Sequence, residues 1–428
     1  MKIASRGRAK YRPLQNYDKS KVKELLMRKI QQEQDKVSKL PHEEFFPLHY
    51  RHDKLNVVSL FSGCGGLDLG LELAGLDVVL GKEKVNQLLK NKLDFMNQRE
   101  KSLFHTIYTN DIFKEANQSY QLNFPKTILQ HERDIRKIKD FPDCNIVLGG
   151  FPCPGFSEAG PRLIDDERNF LYIHFIRSLI QAKPRFFIAE NVKGLLTLGK
   201  GEVVNQIIQD FESAGYNVIY KLVNARDYGV PQMRERVFII GVRDDMDFNY
   251  EFPAPTHGEE PGLQPFVTLK DAIYDLKDNP GDFFEGSFSP IYLSRNRKKN
   301  WNEQSFTIQA SGRQAPLHPG GEPMKKITAD HWILPGNQDD HRRLSIKEIA
   351  RIQTFPDWFE FSDGNKQSIS KNGRLDKIYK QIGNAVPVEL ARAISTPIAR
   401  WTMKNLHLVK EDHHSSPRQL NLFEQINL

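Results

Sequence analysis

A cysteine held between two prolines, in Phe151-Pro152-Cys153-Pro154-Gly155-Phe156-Ser157, is the group in this chain best placed for covalent chemistry. The run before it, Asn145-Ile146-Val147-Leu148, has the apolar text of a buried strand and ends at Gly149-Gly150. Pro152 and Pro154 each fix their own φ and push the preceding residue out of the helical region, so Cys153 is expected on a stiff turn. Gly155 then lets the chain leave without steric cost. The carboxyl ends of strands are where open parallel sheets bind ligands. A thiol fixed there is placed as a nucleophile, provided its pKa is drawn below about 8.5. A second run, Arg185-Phe186-Phe187-Ile188-Ala189, ends in Glu190-Asn191-Val192. If both runs are strands of one parallel sheet, Cys153 and Glu190 emerge on the same edge, a nucleophile and a carboxyl acid in one pocket. A lone cysteine is more often a small, inert core residue. The flanking prolines and the strand-end position argue against that here.

The elements that must position these groups begin at Leu55. Asn56 to Leu60 reads as a strand, Leu67 to Ala74 as the helix after it, Asp77 to Leu80 as a second strand and Val85 to Phe95 as a second helix. With the strands at 145–148, 185–189 and 236–242, the pattern is α/β and doubly wound. Phe61-Ser62-Gly63-Cys64-Gly65-Gly66-Leu67 lies between the first strand and helix. Its glycines allow a tight turn and close ligand approach, and the helix amino terminus offers free N–H groups. The text is not the full G-x-G-x-x-G fingerprint, so a dinucleotide is not specifically indicated. Glu83 follows about twenty residues on, at the expected end of the second strand, where an acid reaches ribose hydroxyls. A nucleoside carrying a small anionic group fits both features, and S-adenosylmethionine has that make-up.

Pro-Cys followed by Glu-Asn-Val resembles the DNA cytosine-5 methyltransferase family, in particular the bacterial type II restriction–modification enzymes. The resemblance covers about 55–242 and 343–395 in the family's motif order. It implies a Rossmann-like S-adenosylmethionine-dependent methyltransferase domain with a smaller, irregular target-recognition domain. It also implies that Cys153 attacks C6 of a flipped cytosine while Glu190 contacts the ring nitrogen and amino group. Phe61, Ser62, Gly63, Gly65, Gly66 and Leu67 look like the first motif of the family. Asp134-Ile135 looks like the pair on the adenine side, with Asp111-Ile112 a rival that lies farther before the Cys153 strand. Gln232-Met233-Arg234-Glu235-Arg236 resembles the Gln-x-Arg-x-Arg motif, which gives Arg234 and Arg236 a pocket role; strand alternation would put both on one face. Tyr379 to Pro387 matches the motif that folds back onto the cofactor loop, making Asn384, Ala385 and Val386 cofactor candidates together with Pro152. The resemblance departs at Val85, where an acid is common, and at Pro154, where Gln is commoner. Ser345 with Glu348 three residues on reads as a capping box, a feature of the fold.

Composition limits the partners. The chain has 428 residues, 39% hydrophobic and 27% charged, and a formal charge of +7; its mean hydropathy is −0.55. No run of about 20 apolar residues suggests a membrane span, and the amino terminus lacks an apolar signal segment. Cys64, Cys144 and Cys153 are too few for a disulfide framework or a zinc site, so no metal is expected and a reducing, cytoplasmic setting fits. The expected parts are a basic extension at 1–53, catalytic text at 54–242, a recognition domain at 243–342, a return to the catalytic domain at 343–408 and a polar tail at 409–428. Double-stranded DNA is the expected partner of a monomer, with a cognate restriction endonuclease acting on the same site. Arg295, Arg297 and Lys298, beside Trp301, mix donors with an aromatic as a DNA-reading surface would, and Ser157 is a further DNA candidate. A transfer-RNA cytosine-5 methyltransferase and a non-catalytic DNA-binding protein on the same scaffold are the alternatives. The first usually lacks so large an insert, and the second does not need intact Cys153, Glu190, Arg234 and Arg236.

Overall fold

The computed structural model describes residues 47–152, 171–365 and 367–407, together with residues 28, 31–33, 35–42 and 45. Cys153, Pro154 and Ser157, and with them the expected catalytic turn, lie outside the described residues.

Seven strands form the central sheet. In chain order its first five are β1 (Leu55–Leu60), β2 (Phe104–Asn110), β3 (Leu129–His131), β4 (Ile146–Gly149) and β5 (Phe186–Val192). After β6 (Tyr216–Asn224) and the two-residue β7 (Gln232–Met233), which lies outside this sheet, β8 (Glu235–Arg243) completes it. The spatial order is β3-β2-β1-β4-β5-β8-β6. β1 to β5 run parallel, and β8 inserts antiparallel between β5 and β6. All six residues of β1 are buried, as expected of a strand covered on both faces. Val58 and Leu60 join one core with α5 (Tyr172–Ala182) and α6 (Glu202–Ser213), whereas Leu55 and Val57 join the opposite core with α1 (Gly66–Leu80) and α10 (Val388–Lys404). The alternation of strand side chains thus gives the doubly wound arrangement.

One expected strand is a helix. Asp77 to Leu80 continues α1 to its end at Gly81, whose φ of 85° no other residue would adopt as readily. Arg392 of α10 donates to Asp77 Oδ2 at 2.6 Å, and Gly70 lets the two helices meet, since a Cβ there would lie 2.3 Å from that of Ala391. The place beside β1 is taken by β2, with Leu55 opposite Phe104. The helix expected at 85–95 is two helices, α2 (Lys82–Leu88) and α3 (Lys92–Arg99), separated where Asn91 caps the second through Leu93 N and Asp94 N; α4 (Lys114–Asn123) follows β2.

Beyond β8 most described residues up to 342 are irregular, apart from a five-residue helix, α7 (Leu269–Ile273), the short β9 (Ser305–Phe306) and a hairpin of β10 (Lys325–Thr328) and β11 (His331–Ile333). The sequence shows no helical period at α7; its capping box from Thr268 to Asp271 was the available signal. Regular helices resume with α8 (Ile346–Ile352) and α9 (Lys371–Asn384), and α8 begins at the expected Ser345–Glu348 capping box. In the amino-terminal extension, Glu33 and Val37 are buried, and Glu33 lies 3.5 Å from His174 Nε2 of α5. No described helix is long and apolar enough to cross a membrane.

Candidate active site

Parallel pairing puts the ends of β1, β2, β4 and β5 on one edge, and each end delivers a piece of the site. At β4, Gly149 pairs with Ala189 of β5, so the two strands finish together. Glu190 follows Ala189, is 8% exposed, and sends Oε2 to within 3.2 Å of where a Cβ on Gly150 would stand. A side chain at position 150 would crowd that carboxyl group by a few tenths of an ångström. Asn191 Nδ2 donates to Phe151 O at 3.1 Å, fixing the chain two residues before Cys153. Phe151 is anchored in the core against Tyr172 and Phe175, whereas Pro152 is exposed.

Arg236 arrives from the neighbouring antiparallel strand, opposite Val192, with Nε 2.8 Å from Glu190 Oε1. The N–H is not aimed along that line, and Oε1 has no aligned hydrogen bond among the described residues. Burial pushes the Arg236 guanidinium down from its ordinary pKa, and the Glu190 carboxylate opposes that shift. Arg234 does not share this position. It falls between β7 and β8, is 1% exposed, and donates to Ile308 O at 3.3 Å and Gly383 O at 2.9 Å. Its guanidinium therefore holds backbone rather than reaching Glu190.

The loop after β1 is strongly shaped. Phe61 takes a φ of 55°, a left-handed conformation costing a non-glycine residue about 1–3 kcal/mol. Gly63 N donates to Asp111 Oδ2 at 2.8 Å, and Gly65 N to Ser62 O at 3.0 Å. A Cβ on Gly66 would lie 2.5 Å from Val386 O and 3.2 Å from the Ala385 Cβ, so residues 385–386 close directly over the loop. Asn384 beside them is exposed. Beneath the loop, Asp68 is buried and accepts from Ser59 Oγ at 2.9 Å and Tyr120 Oη at 3.0 Å. Burial pushes its pKa up to about 6 against those two bonds. Burial likewise raises Cys64 to about 12, and raises Cys144. Neither described thiol is an ionised nucleophile near neutrality.

Glu83 is misplaced by the sequence reading. It sits exposed in the first turn of α2, after a helix, and ends no strand. The acid at the end of the strand beside β1 is Asp111, which also bonds Phe113 N at 2.7 Å. Burial raises its pKa, with the backbone N–H bonds opposing. The sequence offered it only as a rival to Asp134; the β-branched and aromatic run Phe104–Asn110 was the overlooked signal. Ile112 next to it is 67% exposed, an apolar surface at the mouth of the loop. Asp134 caps the turn Ile135–Lys137 through Arg136 N; burial works against its ionisation, but bonds from Arg136 outweigh that and lower its pKa. Ile135 is buried.

The DNA-reading candidates divide. Arg295 is exposed. Arg297 and Lys298 are each 5% exposed and already engaged. Arg297 donates to Gln314 Oε1 at 2.8 Å, and Lys298 to Glu322 O at 2.9 Å with His341 Nδ1 at 3.0 Å. Burial draws Lys298 down to about 8. These two side chains hold the segment together, which corrects their expected place on a DNA surface.

The sequence matches the C-5 cytosine-specific DNA methylase family over residues 55–400. The chain belongs to this family. It is a DNA cytosine-5 methyltransferase. It is 64% identical over 408 residues to the Type II methyltransferase M.BsuRI of Bacillus subtilis, covering 95% of this chain and 94% of that one. It is 58% identical over 427 residues to the Type II methyltransferase M.BspRI of Lysinibacillus sphaericus, covering 99% of each. A solved prophage-encoded protein of E. coli shares the fold with a TM-score of 0.56 and 24% identity, covering 81% of this chain and 99% of its own.

Proposed function

We propose that this methyltransferase acts on one cytosine within a specific sequence of double-stranded DNA, taking the methyl group from S-adenosylmethionine, and that it protects that sequence from a cognate restriction endonuclease in the cytoplasm. The observation that carries the chemistry is the meeting of Gly150, Glu190 and Arg236 at the strand end that leads into Cys153. A cytosine inside a duplex cannot expose C5 and C6 to two reactants, so the base must be flipped out at a cost of a few kcal/mol. In the proposed cycle the Cys153 thiolate forms a bond to C6 while Glu190 places a proton or hydrogen bond at N3, keeping charge off the ring. Arg236 holds Glu190 and faces the same pocket. C5 becomes the nucleophilic carbon of an enamine; after methylation it loses its proton to a base or water, and the bond between sulfur and C6 breaks.

The loop after β1 fits the donor. Ser62 Oγ is buried without a partner among the described residues, and a Cβ on Gly63 would meet nothing within 4 Å. The Ser62 hydroxyl and loop N–H groups would hold the methionine carboxylate, Asp111 the ribose, Ile112 and Asp134-Ile135 the adenine side, and Ala385-Val386 the closing wall. Bound there, S-adenosylmethionine supplies an electrophilic methyl group. The protein is proposed to act as a monomer, the catalytic work being confined to one chain.

Bisulfite sequencing of a plasmid propagated with the expressed protein tests this. Protection of one cytosine in one recurring sequence is the expected result. Protection scattered over all cytosines, or methylation of transfer RNA with none of the plasmid, would overturn it.

A further inference from the structure

Four segments far apart in the chain meet at a buried polar cluster that the chemistry above does not use. Gln232 is 0% exposed, accepts from Ile308 N at 2.8 Å and donates to Gln353 Oε1 at 2.9 Å. Gln353, also 0% exposed, donates through the same Nε2 to Ile382 O at 2.6 Å and Ala385 O at 3.1 Å. Arg234 bridges Ile308 O and Gly383 O, as given above. Around these bonds β7 pairs with β9, and Gly383 is pressed so closely on residues 309–310 that a Cβ would lie 2.4 Å from Gln309 O. One end of the cluster is therefore the segment 305–310, in the stretch assigned to target recognition. The other end is 382–386, whose Val386 carbonyl touches Gly66 of the cofactor loop.

We propose that Gln232, Arg234 and Gln353 form a positioning relay that couples occupancy of the cofactor loop to engagement of target DNA by the recognition segment; this rests on the functional reading above. Each amide is bonded at both ends, so a shift of Ile308 cannot occur without breaking a buried bond or moving 382–385. Buried polar networks behave in this all-or-none way because an unsatisfied member is costly. Arg234 carries a buried charge and an Nε with no partner among the described residues, an expense that simple packing does not explain. Coupling of this kind is reciprocal: target DNA tightens cofactor binding by the factor with which cofactor tightens DNA binding.

The test uses the full chain, S-adenosylhomocysteine as the probe, and a short duplex carrying the sequence mapped by bisulfite. Calorimetry measures the probe's Kd with and without the duplex for wild type, Gln232→Met, Gln353→Met and the double variant. In wild type the duplex should tighten probe binding by roughly 5- to 100-fold. Each single variant should reduce that ratio to below about 3-fold, and the double variant should reduce it no further, because both act in one relay. A purely structural role would lower the melting temperature and both affinities while leaving the ratio alone. If the methionine variants fail to fold, Arg234→Lys, which keeps one donor, is read in the same way. Wild type without coupling, or variants that keep the full ratio, would overturn the relay. A wild type that methylates no duplex would instead strike the functional reading.

Discussion

At the carboxyl edge of the sheet the charged groups stand where strands end, and Glu190 keeps a buried oxygen with no aligned donor among the described residues. In residues 243–342 most charged side chains are exposed, but Arg297 and Lys298 of the basic run turn inward. Arg297 and Lys298 bond to the segment's own carbonyls and side chains, and Arg343, just beyond it, lies over the rings of Phe284, Phe288 and Tyr292. The difference follows from what each region has for scaffolding. A sheet satisfies its own backbone and can present side chains at its edge, whereas an irregular segment leaves carbonyls unpaired and must spend its cations on them. A basic run in such a segment is therefore framework before it is a DNA surface.

The largest effect expected from this contrast is at the edge. Cys153→Ser should reduce methyl transfer by several orders of magnitude with little change in melting temperature, because a serine hydroxyl is hardly ionised at neutral pH. Single-turnover methylation beside a thermal melt checks it. Next comes the interior of 243–342. Arg297→Ala and Lys298→Ala should each destabilise the fold by about 1–3 kcal/mol, the cost of leaving buried acceptors unsatisfied. Arg295→Ala should change stability by less than about 0.5 kcal/mol. It should instead flatten the dependence of log K for DNA on log salt by about 1, if that exposed arginine meets a phosphate. Stability loss at Arg295 with none at Arg297 would reverse the comparison.

On the cofactor side, Asp111→Asn should weaken S-adenosylmethionine binding by about 1–3 kcal/mol, the scale of hydrogen bonds to a charged group. Glu83→Ala should leave the Kd within a factor of two. Titration calorimetry separates the two acids, and the opposite ranking would restore Glu83.

The last effect is spread over pH as a slope. Asp68 has its pKa raised from 3.8 to about 6 in the fold, so the fold favours its protonated form. That contribution is fully present below about pH 3.8 and is lost as pH rises towards 6, for a total of about 2–3 kcal/mol. Asp68→Asn should remove this part of the decline in stability between pH 4 and 6, visible in denaturant midpoints measured across that range. An unchanged pH profile would show that the buried carboxyl titrates elsewhere.

Much of the edge was legible in the sequence because strand-end chemistry is local. The runs before Gly149 and Glu190 are continuous and apolar, and their endings name the site. The second strand was not legible for a physical reason. Asp77-Val78-Val79-Leu80 carries β-branched residues that suit a strand, but Asp77 is held by Arg392, a residue 315 positions away, and tertiary packing overrode propensity. That error put the expected ribose acid at Glu83, on a helix, rather than at the strand end beside β1 that Asp111 follows. Arg234 and Arg236 obey one motif yet divide between backbone and Glu190, because β7 and β8 break between them. Burial of Arg297 and Lys298 depends on Gln314, Glu322 and His341, contacts that no spacing rule connects.

The central claim, that the strand end shaped by Gly150, Glu190 and Arg236 serves a Cys153 nucleophile, meets its most direct test in a trapping experiment. A duplex with 5-fluorocytosine at the mapped target cytosine should form a stable covalent adduct with the wild-type protein and S-adenosylmethionine, since fluorine cannot leave from C5 as a proton does. Peptide mass spectrometry should place that adduct on Cys153, and Cys153→Ser should form none. An adduct on Cys64 or Cys144, or ready methylation of ordinary DNA by Cys153→Ser, would contradict the account.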